Sequence, residues 1–238
     1  MPGARITLDD ALDLTRTGDV WLFRGRKAAD RAIQVSTNSP VNHVGMSVVV
    51  DDLPPLMWHA ELGRSLPDMW SGNHQRGVQL HDLRAAVIVW ATRYGEQAWL
   101  RQLDYAVTRE TEDAVLRTIA RLDGTPFPAT ARLASLWLRG RMPPIRHGRR
   151  DGQVVPDGGR YGGRDGAPDG GRDGAQAADL KTAYCAEVVA ITYQAMGLLP
   201  GGRRPNWYDA GRFWSGDDLE LSAGARLSGE IAVDVPSS

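Results

Sequence analysis

The sequence predicts an α+β domain in which a small antiparallel sheet packs against the helix that carries the chain's only cysteine, Cys185. Two observations point there. Residues 41–63 hold two apolar runs, "VNHVGMSVVV" and "LMWHAELG", on either side of the turn cluster "DDLPP", the pattern of a β-hairpin. Residues 182–199, "TAYCAEVVAITYQAMGLL", pass into an apolar helical run that begins at Cys185. With 238 residues, 42% of them hydrophobic, the chain can bury one proper core, so residues 1–238 are expected to form a single domain.

The elements follow in order. Thr7 caps a short helix over "LDDALDLTR", whose first turn carries carboxylates that suit the positive end of the helix dipole. "GDVWLFRG" (18–25) is an apolar run between glycines and reads as a strand. "RKAADRAIQVST" (26–37) reads as a helix, stopped at "NSP" because the residue before a proline is pushed out of the helical region. After the hairpin, "AAVIVWATRY" (85–94) is rich in β-branched residues and reads as a third strand. "TRETEDAVLRTIARL" (108–122) starts like a capping box and keeps Val115, Ile119 and Leu122 on one side, which makes it a helix. "DGTPFP" ends it, and "ATARLASLWLRG" (129–140) reads as another short helix. Residues 148–178 repeat "GGRYGGRDG" and "GGRDG" with almost nothing to bury, so they are expected to be a disordered Gly/Arg/Asp-rich insertion. A calcium-binding repeat would need a regular nine-residue period. The segment lacks one.

Several function classes are disfavoured. A formal net charge of -1 gives no electrostatic case for nucleic acid. No run approaches the roughly 18 to 20 apolar residues of a membrane-spanning helix. The start "MPGARITLDD" has no charged-then-apolar leader pattern. A single cysteine excludes an intrachain disulfide and suits a reducing compartment, so a cytoplasmic location is expected. No His-x-x-x-His or Cys-x-x-Cys spacing suggests a metal, and no cofactor is expected. The sequence does not set the oligomeric state.

A lone buried cysteine is usually structural. Cys185, however, begins a helix, where unpaired amide N–H groups favour a thiolate and can hold an oxyanion. A thiol nucleophile needs a base, and His43 is the best candidate. Alternation puts His43, Gly45 and Ser47 on one face of their strand, whose small residues leave room for a helix end. On the next strand, His59 and Glu61 share a face with Met57, and either could orient the imidazole. His74 and His81 lie in a polar connection, and His147 borders the glycine-rich insertion.

Together these segments resemble a known family: the circularly permuted branch of the NlpC-type papain-like cysteine hydrolases, the YiiX/YaeF-like group. The likeness is carried by "GDVWLFRG", "RAIQVSTNSPVNHVGM", "WHAELG", "LDGTPFP" and "AYCAEVVAITYQAMGLL", in that order, over most of residues 18–200. Such a resemblance implies a permuted papain-like fold with Cys185 as nucleophile, His43 as base and His59 as the third polar residue. The chain departs from the family pattern at Ala186, where serine is usual, and at Phe127, where tyrosine is common. Its glycine-rich insertion and its His59, where many relatives carry glutamate, are further departures. The implied reaction is acyl transfer to sulfur and release to water, with an amide substrate such as a peptide or amino-acid conjugate. A lipid ester or thioester is the alternative, with Trp58, Trp70, Trp90, Trp137 and Trp214 as candidates to line an acyl site. A rival of another class is a non-catalytic module whose glycine-rich insertion recruits a partner.

Overall fold

In the computed structural model, which describes residues 4–25, 39–61, 63–126, 184–216 and 219–236, Thr7 accepts a hydrogen bond from the Asp10 amide. It thereby caps α1 (Leu8–Leu14), directly after the short strand β1 (Arg5–Thr7). The strands β2 (Val20–Arg24), β3 (His43–Val48), β4 (Leu56–Glu61) and β5 (Gly77–Asp82) form an antiparallel run. β6 (Gln97–Arg101) pairs with the other edge of β2, and β9 (Ile231–Asp234) and β1 extend the sheet beyond it. The spatial order is β1-β9-β6-β2-β3-β4-β5. At seven strands, with one parallel pair (β1 with β9), the sheet is larger than the small antiparallel one expected from sequence. The short strands β7 (Leu103–Asp104) and β8 (Arg226–Leu227) form a separate ribbon.

Residues 85–94 are a helix, contrary to the expectation of a strand. They belong to α2 (Leu83–Tyr94), which the Asp82 side chain caps by accepting from the Ala85 amide. Gly95, at φ 69°, closes it in the left-handed conformation that glycine adopts without a Cβ penalty. The buried residues Leu83, Ala86, Val87 and Trp90 fall at helical spacing, and packing that stripe overrides the β propensity of Val87-Ile88-Val89. α3 (Arg109–Leu122) has the capping box expected of it, Thr108 with Thr111, and buries Val115, Ile119 and Leu122. α4 (Cys185–Ala195) completes the four α-helices of the described residues. The helices expected over 26–37 and 129–140 and the insertion over 148–178 lie outside the described residues.

Alternation along the strands splits the core into two layers. On one face Leu22, Val44, Met46, Trp58 and Leu80 pack with α3 and α4. The indole N–H of Trp58 donates to Thr192 Oγ1 at 3.0 Å, which ties α4 to β4. On the other face Trp21, Phe23 and Met57 pack with Leu83, Val87 and Trp90 of α2. The β5 edge is not left open. The Val78 amide donates to Thr125 O at 2.8 Å and its carbonyl accepts from Gly124 at 3.0 Å, so the "DGTP" turn covers it.

That cover depends on Gly77. Its φ is +112°, and a Cβ there would lie 2.0 Å from the Thr125 carbonyl oxygen. Backbone cannot step aside as a side-chain tip can. Gly77→Ala is therefore expected to destabilise the fold by about 2–3 kcal/mol, roughly 4 to 12 °C in Tm for a domain of this size. A melting curve that overlays the parent would show that this contact does not constrain the edge.

Candidate active site

The β3–β4 ladder runs only through Met46↔Trp58, Ser47↔Met57 and Val48↔Leu56. Residues 43–45 and 59–61 continue beyond it without pairing across β3 and β4. The sheet therefore opens at the end of β3. The Ser47 amide points to the β2 side, where it donates to Asp19 O at 2.9 Å. Three residues back, the alternation of a strand turns the Val44 amide toward β4, into the opening.

Cys185 begins α4, which packs against β3 and β4. The backbone N–H groups of Val44, Ala186 and Cys185 itself favour its thiolate. The thiol is buried with the apolar cluster on the Val44 and Trp58 face. Loss of hydration pushes its pKa up to about 11, against the pull of the three amides.

The imidazoles lie on the opposite face. His43 stands beside Phe23, its cross-strand neighbour, and both His43 and His59 meet the Trp90 ring edge-on at 5.0 and 4.8 Å between centroids. His43 Nε2 lies 3.2 Å from His59 Nδ1, and His59 Nε2 lies 3.1 Å from His81 Nδ1. Gly45 makes room for this row, since a Cβ there would meet Met57 Sδ at 2.3 Å and His59 Cβ at 3.3 Å. Burial drives the pKa of His43 and of His81 down to about 4, and that of His59 well below its ordinary value. Mutual repulsion within the row acts in the same direction for His43 and His59. All three are thus neutral at pH 7, and each nitrogen pair shares a single proton.

Glu61 ends the row. One of its oxygens lies 3.8 Å from His81 Nδ1. Ser65 Oγ donates to the carboxylate at 3.0 and 3.2 Å, and the nearby Trp90 side chain also favours its charged form. Burial raises its pKa in spite of them. Extrapolating the ladder would set Glu61 opposite His43, yet the ring that reaches His43 is that of His59.

Two expectations need correction. His81 is not part of a polar connection: it is fully buried on β5, where Val78 and Leu80 face one layer and Gln79 and His81 the other. The alternation in "GVQLHD" was the signal for it. The helix on the histidine face is α2, not the cysteine helix, which packs on the other side of β3 and β4. A cluster of two histidines and a carboxylate is also present: His59, Glu61 and His81 offer ligand atoms all within 4.8 Å of one another. Spacing rules for helices miss such a set, because its members come from adjacent strands. Among the described residues no hydrogen bond joins the Cys185 thiol to an imidazole, and the cysteine and the histidines sit on opposite faces of the sheet.

No protein-family model matches the chain, and no curated protein matches it. The structure is similar to the crystal structure of metalloprotein yiiX from Escherichia coli O157:H7 (DUF1105). The match covers 80% of this chain and 68% of that one, at 18% sequence identity and a TM-score of 0.45. That protein is a member of the YiiX/YaeF-like group whose motifs the sequence resembles.

Proposed function

We propose that the protein is a cysteine hydrolase that cleaves an amide bond of a peptide or amino-acid conjugate. Cys185 is the nucleophile, His43 the base and His59 the residue that orients His43. One observation carries this reading: on consecutive residues of β3, the Val44 amide favours the Cys185 thiolate and His43 carries the imidazole that lies 3.2 Å from His59. The opening between β3 and β4 is the route by which the two faces communicate.

At rest the pair is a neutral thiol and a neutral imidazole, since burial raises the first and lowers the second. His43 donates from Nε2 to His59 Nδ1, which leaves its Nδ1 lone pair available as base. As Sγ attacks the carbonyl carbon, Nδ1 takes the thiol proton and the π pair moves onto oxygen. The Cys185 and Ala186 amides face that position at the helix start and stabilise the oxyanion. Collapse expels the amine, which leaves with the proton from His43. Water, deprotonated by the same imidazole, then cleaves the thioester and releases the acid.

A panel of amide, ester and thioester substrates tests this reading, with turnover expected to be best on an amide. Faster turnover of acyl esters or thioesters would transfer the assignment to lipid-type chemistry on the same residues. The pH profile supplies a second check. The folded pKa of His43 is depressed, so its base form persists as pH falls and is lost only through about 4. An acid limb of kcat/KM at the ordinary histidine value, about 6.5, would contradict this environment.

A further inference from the structure

We infer that His59 Nε2, His81 Nδ1 and a Glu61 carboxylate oxygen bind one divalent cation of the zinc class. The two nitrogens are 3.1 Å apart and the Glu61 oxygen is 3.8 Å from His81 Nδ1. Ligands that each sit about 2.0–2.1 Å from one ion are separated by about 3 to 4 Å, so these two separations suit a shared cation, and the whole set, within 4.8 Å, needs only a small closure to hold one. A proton between the two nitrogens and a metal ion are the two ways to hold them so close.

The surroundings favour the metal. His81 and Gln79 are fully buried. Among the described residues, His81 Nε2 and both polar atoms of the Gln79 amide have no hydrogen-bond partner. Gln79 is the cross-strand partner of His59 and shares its face, so its carbonyl oxygen is a further donor on the same side. The Gln79 amide, orphaned in a dry site on the face that His59 shares, is costly unless something charged organises it. Two neutral imidazoles and a carboxylate select a zinc-class ion over calcium or magnesium, which prefer oxygen ligands throughout. Ser65, donating to Glu61, is the outer partner that aims the carboxylate.

Occupancy has a consequence for His43, which rests on the hydrolase reading. A cation on His59 Nε2 requires the proton on Nδ1, and that N–H then donates to His43 Nε2. The proton of His43 moves to its Nδ1, where the base needs a lone pair. The metal-bound state is therefore the catalytically silent one.

Cobalt(II) reports directly on the site. The full chain, stripped with a chelator and dialysed, is titrated with Co²⁺ while d–d absorption is followed, and Zn²⁺ is then added in competition. One Co²⁺ per chain is expected for the parent and for Cys185→Ser, displaced by Zn²⁺. Binding should weaken at least about tenfold in His81→Phe and in Glu61→Gln, each checked for folding by its melting curve. Glu61 lies nearer the surface, so its variant serves if the His81 change fails to fold. Absence of stoichiometric binding by the parent, or affinity unchanged in the folded variants, overturns the site. So does a thiolate-to-cobalt band that vanishes with Cys185→Ser. None of these outcomes depends on turnover, so the metal site stands or falls apart from the hydrolase. Where turnover is measurable, stoichiometric Zn²⁺ should abolish it; full activity with zinc bound would refute the coupling to His43.

Discussion

Cys185→Ser is expected to lower kcat/KM by about 10⁴-fold or more while leaving the melting temperature close to the parent's. Removal of a nucleophile from a concerted catalytic unit typically costs several orders of magnitude, because the remaining members have nothing to activate. A serine hydroxyl at the same helix start would keep the favourable influence of the Val44 and helix-start amides. It is nearly isosteric, and the site is buried, so neither packing nor solvent access changes much. A variant that turns over within tenfold of the parent would leave the thiol a core residue, with the chemistry elsewhere.

His43→Ala should follow with a loss of about 10³-fold or more, since the base serves both acylation and hydrolysis. The comparison with its neighbours makes the result diagnostic. His59 bonds the ring of His43 directly and fixes its tautomer, so His59→Ala should cost roughly 10- to 1,000-fold, mainly in kcat. The Glu61 carboxylate already accepts from Ser65, so Glu61→Gln should lose less than about tenfold. Steady-state kinetics of the three variants on one substrate read out the order. If Glu61→Gln is crippled and His59→Ala nearly normal, the orienting role belongs to Glu61.

Where local patterns govern the chain, the sequence was a sufficient guide. The Thr7 and Thr108 caps, the β2 strand and the hairpin of β3 with β4 are all set by neighbours within a few residues. α2 was misjudged because Val87, Ile88 and Val89 favour strands in isolation, while a buried stripe and two caps decide for helix. His43 and His59 stood out as polar residues on apolar strands. Their partner His81 did not, since its role depends on β5 pairing with β4 and on alternation in a stretch that looks polar. Nor could the sequence reveal which face each helix covers. Period-two alternation separates the faces of a strand but does not say which helix arrives on either.

The central claim is that Cys185 and His43 act together through the opening between β3 and β4. Its most direct measurement is the rate of alkylation of Cys185 by iodoacetamide against pH, in the parent and in His43→Ala. Coupling predicts base-assisted labelling in the parent at neutral pH, at least tenfold faster than in the variant, on the scale of general-base assistance. It also predicts an acid limb in the parent through about 4, set by His43, while the variant reacts only as pH climbs toward the thiol's own value of about 11. Identical rates and identical profiles in the two proteins would mean that the thiol and the imidazole are isolated from each other on opposite faces of the sheet.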